Sequence, residues 1–274
     1  MGGFVVGSSE IVPKAQINYL CSNGFAVVIP NYRLAPQTTG KDALFDAEEA
    51  YDWATTSLPS LLEKDHGIYL DTSRIVAMGH SSGGAIAMHL GSCKPLKAVT
   101  AFSTSLYTAD VVAAKKKLDF PPFNHLPDFH PTEADWEIIA PKGIQLSEAP
   151  LAAPGTIPPP RNKWQLHLIK YSELLPAVMP DGDYAAIDPM TRVSAQWPPT
   201  MIVQGGADAV PGSTPVDVQR AEREMREAGV KEVELVMVPG EAHVWDLPPT
   251  VGTSDLGPKW QAVVKGLDWL RSHV

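Results

Sequence analysis

The chain has 274 residues and a formal net charge of -9, a balance that argues against nucleic acid or an anionic membrane surface as its main partner. Its 44% hydrophobic and 19% charged residues exclude a disordered or fibrous class and supply a sizeable core, in one large domain or two small ones. Cys21 and Cys93 are the only cysteines, too few for a disulfide framework and without metal-ligand spacing, so two reduced thiols in a cytoplasmic protein are expected.

The first residues, Met1-Gly2-Gly3-Phe4-Val5-Val6, lack the basic start and long apolar run of a secretory signal. Nothing in the chain approaches the length of a membrane-spanning helix. Residues 25–29, a short apolar run after Asn23-Gly24 and before Pro30, read as a strand buried on both faces of a parallel sheet. Residues 41–57 read as a helix, because Ala43, Leu44, Ala47, Ala50, Tyr51 and Ala54 recur at helical spacing among acidic residues. Residues 74–78 form the next expected strand, and 96–102 another.

Directly after Ile75-Val76-Ala77-Met78 comes Gly79-His80-Ser81-Ser82-Gly83-Gly84, followed by the small-residue, helix-like run from Ala85 to Leu90. This is G-x-S-x-G in the strand–turn–helix setting that gives the motif its meaning. Ser81 is expected at a strained elbow with its hydroxyl exposed. The flanking glycines are expected because a Cβ at either place would meet a neighbouring strand or helix. The competing reading is a Gly/Ser turn that only lets a helix approach a sheet.

Residues 105–196 interrupt the alternation and hold many of the 26 prolines, including Pro121-Pro122 and Pro158-Pro159-Pro160. So long a stretch is better read as an inserted cap or lid than as a plain loop. Order returns with a strand at 200–204. Thr214 and Pro215 then suit the N-cap and first turn of a helix that stops at Gly229. A strand at 233–238 and a helix at 259–273 complete the chain. Strands alternating with helices predict an α/β protein with a parallel sheet, its core formed by residues 1–104 and 197–274.

A serine hydroxyl attacks well only when a base takes its proton and a third group orients that base. In open parallel sheets such groups gather at the carboxyl ends of strands. Asp208 follows the strand at 200–204 and His243 follows the strand at 233–238, so the order is Ser81, Asp208, His243, which is that of α/β-hydrolases. Asp217 and Asp246 are rivals for the acid but directly follow no expected strand. His80 is expected to point away from the site and His89 to be packed on the helix. His66, His125, His130 and His167 default to surface or satisfied polar roles. Oxyanion donors are expected from the amide of Ser82 and from the glycine pair Gly2 and Gly3.

These residues resemble the hormone-sensitive-lipase-like esterase branch of the α/β-hydrolase family. Asn31-Tyr32-Arg33-Leu34-Ala35-Pro36 resembles its D-Y-R-L-A-P segment, and Asp71-Thr72-Ser73-Arg74 its approach to the elbow. Pro198-Pro199 resembles the entry to the strand before the acid. Gly2-Gly3-Phe4 resembles the tail of its H-G-G-G-F oxyanion motif. The resemblance implies an α/β-hydrolase fold of mostly parallel sheet flanked by helices, with a large cap over residues 105–196. Met1 stands where that motif has already begun, which implies an N-terminally shortened chain or direct pairing of residues 25–29 with 74–78. Ser82 stands where the branch often has alanine.

The expected function is hydrolysis of carboxylic esters with apolar, small to medium acyl groups through an acyl-enzyme on Ser81, without metal or organic cofactor. Trp136, Trp164, Phe120, Phe123 and Phe129 suggest an apolar pocket, or alternatively the cap's own core. A second expectation is a thioesterase or lactone-forming acyltransferase that releases a polyketide-like chain. Lys115-Lys116-Lys117 would then dock an acidic carrier protein, although a solvated face is the simpler reading. A third is a non-catalytic small-molecule receptor of the same fold.

Overall fold

The computed structural model describes residues 1–121, 123–152 and 156–274; Pro122, in the expected proline-rich stretch, lies outside the described residues. The chain opens with a tight loop and helix α1 (Lys14–Ser22), which the sequence reading did not anticipate. Helix α2 (Gly40–Thr56) begins at Thr39, whose hydroxyl accepts from the Asp42 amide while the Asp42 carboxylate accepts from the Thr39 amide. That reciprocal cap satisfies two amides a helix start leaves free. Ala43, Leu44 and Ala47 form its buried face, as their spacing predicts. A second unanticipated helix, α3 (Leu58–His66), ends at Gly67 in the left-handed region.

Strand β1 (Ala77–His80) leads through the elbow into α4 (Ser82–Cys93). Strand β2 (Val99–Phe102) follows. Residues 105–196 then contribute helices α5 (Thr108–Ala114), α6 (Glu133–Ile139), α7 (Pro160–Lys170) and α8 (Leu174–Val178). Among its described residues the one β interaction is an isolated bridge from Ala149 to Gly7. Strand β3 (Thr200–Gly205), helix α9 (Pro215–Glu227), strand β4 (Val233–Val238) and helix α10 (Pro258–Ser272) close the order. Helix α9 starts with the same reciprocal cap, from Thr214 and Asp217.

The four strands pair in parallel in the order β1-β2-β3-β4. Ala77 faces Val99, Val99 faces Thr200 and Thr200 faces Val233, so all four carboxyl ends lie on one side. Met88, Ile202, Val218 and Met225 pack on one face of the sheet, and Phe102, Met201, Val263 and Leu267 on the other. A third core joins Phe4, Val5 and Val6 to Ile139, Trp164 and Leu168, so the N-terminal loop and residues 105–196 share an interior.

Residues 25–29 correct the sequence reading. They are not in a ladder, and they do not pair with 74–78. Direct pairing needs the two backbones about 4.8 Å apart. An apolar groove lined by Val27, Val28, Met78 and Ile86 separates them instead. The expected strand at 74–78 begins later, at Ala77, although the Ile75 carbonyl still accepts from the Lys97 amide at 2.7 Å.

Candidate active site

The elbow is built by close approach. Ser81 has φ 56° and ψ −125°, a strained conformation for a residue with a Cβ, and its amide donates to the Phe102 carbonyl at 2.9 Å. A Cβ on Gly79 would lie 2.0 Å from the Gly83 carbonyl oxygen, and one on Gly84 would lie 2.9 Å from the Thr104 side chain. Only glycine lets strand, turn and helix come this near. Gly83 differs from expectation, since its Cβ would meet the Met1 nitrogen, at 3.0 Å, rather than a strand or helix.

Ser81, His243 and Asp208 come together from three loops at the carboxyl ends of the strands. His243 Nε2 is 3.0 Å from Ser81 Oγ, and its Nδ1 is 2.7 Å from Asp208 Oδ2. The Asp208 side chain is fully buried and that of His243 is 21% exposed. Gln204 Nε2 donates to Asp208 Oδ2 at 2.7 Å, and the Val210 amide donates to Oδ1 at 3.0 Å. Gln204 is itself held by the Ser213 carbonyl at 2.7 Å. These donors fix the carboxylate so that one oxygen is aimed at the imidazole. Gln204 was not anticipated; its place at the end of β3, four residues before Asp208, was the available signal.

Gly2 and Gly3 line the same cavity as Ser81 and His243. The Gly2 carbonyl accepts from the Val5 and Val6 amides, both at 3.1 Å, and from Gln165 Nε2 at 2.8 Å, so this loop is pinned. A Cβ on Gly2 would lie 1.8 Å from the Val6 carbonyl oxygen. The Gly3 amide donates to Ser82 Oγ at 3.1 Å. Ser82 opens α4, where the first amides have no intrahelical acceptor. Tyr32 donates to the Met1 carbonyl at 2.6 Å and lies 3.5 Å from Ser82 Oγ. Burial pushes its phenol up to about 12, so it remains a neutral donor there.

The cavity has a volume of about 280 Å³. Leu106, Val111, Phe123, Ile169, Leu174 and Leu175 are among its walls, and none of its described lining residues is Asp, Glu, Lys or Arg. Of the five aromatic residues expected at a pocket, only Phe123 lines this one. Trp136 and Trp164 stack edge to face on each other, and Trp164 packs in the core shared with Phe4, Val5 and Val6.

The rival acids serve elsewhere. Asp217 caps α9, and Asp246 pairs with His80 at 2.8 Å, away from Ser81. Glu48, His89 and Cys93 are close enough to suggest a metal centre. Arg192 donates to His89 Nδ1 at 2.6 Å, however, so the ring proton lies on Nε2 and goes to Glu48 at 2.7 Å. Both ring nitrogens are engaged, and the group fastens α4 to α2. Both cysteines are exposed and free, and no helix is long and apolar enough to cross a membrane among the described residues.

A family model described as the alpha/beta hydrolase fold matches residues 1–114. A probable carboxylesterase, M8, of Phoma sp. is 36% identical over 113 residues, which is 39% of this chain and 35% of that protein. A non-reducing polyketide synthase, mapC′, of Penicillium brevicompactum is 29% identical over 310 residues; the match takes in the whole of this chain and 14% of the synthase. The chain thus spans well under half the length of both relatives. Among solved structures, butyrate-bound esterase 2 of Thermogutta terrifontis aligns with a TM-score of 0.60 at 19% identity, over 99% of this chain and 80% of that one. An alpha/beta hydrolase superfamily protein of Enterococcus faecalis aligns with a TM-score of 0.62 at 15% identity, over 99% and 88%. The sequence match over residues 1–114 and the fold match along almost the entire length agree on the α/β-hydrolase fold.

Proposed function

We propose that the chain is a serine hydrolase that cleaves carboxylic esters of uncharged, apolar acyl groups. The observation that carries this reading is the line from Ser81 Oγ to His243 Nε2 to Asp208 Oδ2, opening into a cavity whose described walls bear no charged side chain. His243 takes the Ser81 proton as Oγ attacks the acyl carbon, and Asp208 holds the ring and offsets the imidazolium charge. The oxyanion is held by the Ser82 amide and by the glycine loop of Gly2 and Gly3. His243 then protonates the departing alcohol, and water attacks the acyl-enzyme by the same route in reverse. Residues 105–196 act as the cap, because α7, α8 and Phe123 supply much of the acyl wall. The carboxylesterase relative supports the chemistry, and the esterase neighbours support the fold.

A second reading has one specific support: the polyketide synthase relatives match along the whole chain. In that case Ser81 receives a polyketide-like acyl chain from a carrier thioester and passes it to water or to a hydroxyl of the chain itself. The exposed run Lys115-Lys116-Lys117 would face the carrier.

The test is intact-mass labelling with a fluorophosphonate, followed by rates on 4-nitrophenyl esters and acyl thioesters. One adduct on the parent chain that vanishes in Ser81→Ala, with turnover of neutral acyl esters, is expected. No adduct and no turnover would overturn both catalytic readings and favour a receptor. Thioester turnover well above ester turnover would favour the second.

A further inference from the structure

We propose that Asp246 and His80 are positioning residues that hold the His243 imidazole in line with Ser81; this rests on the Ser81–His243 reading above. His80 precedes Ser81 in the chain, and Asp246 follows His243 by three residues. Their side chains meet in the interior, with Asp246 Oδ2 2.8 Å from His80 Nε2 and accepting from Gln16 Nε2 at 3.1 Å. All three side chains are buried, Asp246 with no exposure. The His80 ring stacks on Phe102 at 5.0 Å between centroids, and the Phe102 carbonyl accepts the Ser81 amide. The pair therefore joins the loop of the base to the frame of the nucleophile.

A second observation says what the joint opposes. Val244, next to His243, has φ 51°, a true outlier for a β-branched residue and a conformation that surrounding contacts must enforce. Its amide donates to Ser103 Oγ at 3.2 Å, which anchors one side of the strained residue. Asp246 anchors the other. A carboxylate this deeply buried cannot leave its partner without a large desolvation penalty, so it fixes the loop. Loss of the anchor lets Val244 relax toward negative φ and swings the adjacent imidazole off the line to Ser81 Oγ.

The test compares Asp246→Ala with Asp246→Asn, which keeps an acceptor for His80 and Gln16. The readouts are kcat and KM on a 4-nitrophenyl ester, the rate of fluorophosphonate labelling at Ser81, and the low-field proton resonance of the His243–Asp208 bond. Asp246→Ala is expected to lower kcat and labelling roughly 10- to 100-fold, the scale of a misplacement near 1 Å. KM should stay within about 3-fold and the resonance should fade, while Asp246→Asn recovers most of both. His80→Leu, which leaves Asp246 with Gln16 alone, is read in the same way if Asp246→Ala does not fold. A folded Asp246→Ala with the parent kcat and resonance overturns the proposal, as does failure of both variants to fold while Asp246→Asn matches the parent. A parent chain that shows the resonance and its loss in Asp246→Ala, but neither labels nor turns over esters, overturns the esterase reading alone.

Discussion

Gly205 and Glu241 touch so closely that a Cβ on Gly205 would sit 2.4 Å from the Glu241 carbonyl oxygen. Their contact sets the two loops that carry Asp208 and His243 side by side, and the Ala207 amide secures it by donating to the same oxygen at 2.8 Å. Backbone cannot yield here as a flexible side-chain tip could. Gly205→Ala is therefore expected to push the His243 loop outward, lengthen the bond to Asp208 and lower kcat roughly 10- to 100-fold. Ester kinetics alongside a thermal melt check this; a variant with the parent kcat would show that the loops adjust without disturbing the imidazole.

Ser82 carries a hydroxyl that holds the Gly3 amide, one of the donors proposed for the oxyanion. That bond must be given up if Gly3 is to serve the tetrahedral intermediate. A neutral hydrogen bond contributes about 1 kcal/mol net, so Ser82→Ala is expected to raise kcat by up to about 5-fold with KM little changed. A fall in kcat would mean that the hydroxyl orients the glycine loop more than it competes for its amide. Burst-phase kinetics separate acylation from deacylation and show which step responds.

Much of this site was legible because its chemistry sits in short segments. The elbow spans Gly79 to Gly84, and Asp208 and His243 each follow an apolar run that is a strand in the structure. Helix limits were legible where caps are local, as at Thr39 and Thr214. Residues 25–29 misled because a continuous apolar run carries no information about its partner, and strand pairing depends on a second edge. Helices α1 and α3 were missed because they are short, at nine residues each, and their apolar positions are few. Gln165 and the His80–Asp246 pair act across long sequence separations that no local pattern records.

Arg161 ties helix α7 to the N-terminal loop and to the end of α6. The residue is 4% exposed, and its guanidinium donates to the Val5 carbonyl at 2.6 Å and to the carbonyls of Ile139 and Ala35. Burial without a carboxylate partner lowers it to about 10, yet it remains a cation at neutral pH. Arg161→Met removes three donors at once, and each buried carbonyl left unpaired costs on the order of 1–3 kcal/mol. A loss of roughly 3 kcal/mol or more is expected, which lowers Tm by roughly 6–12 °C for a chain of this size. Calorimetry decides; a shift under about 2 °C would mean that water satisfies those carbonyls. The N-terminal loop should loosen with it, so hydrogen exchange at Val5 and Val6 is expected to quicken.

His89 gives the fold a dependence on pH that does not involve the His243 imidazole. Burial is the largest influence and lowers its pKa; the bond to Glu48 raises it, and the nearby Arg192 charge lowers it further, so the net displacement is downward from the ordinary histidine value. A histidine that resists protonation when folded adds stability above its unfolded value of about 6.5. That contribution is lost as pH falls through the folded value, because the unfolded chain binds the proton more readily. His89→Gln keeps a donor for Glu48 and an acceptor for Arg192 but cannot titrate. Urea unfolding at pH 7.5, 6.5 and 5.5 is expected to show the parent losing more stability than His89→Gln over this interval. The other titratable groups are common to both proteins, so the difference between the two slopes reports on His89. Equal slopes would mean that the latch between α4 and α2 opens on protonation at no cost to the fold.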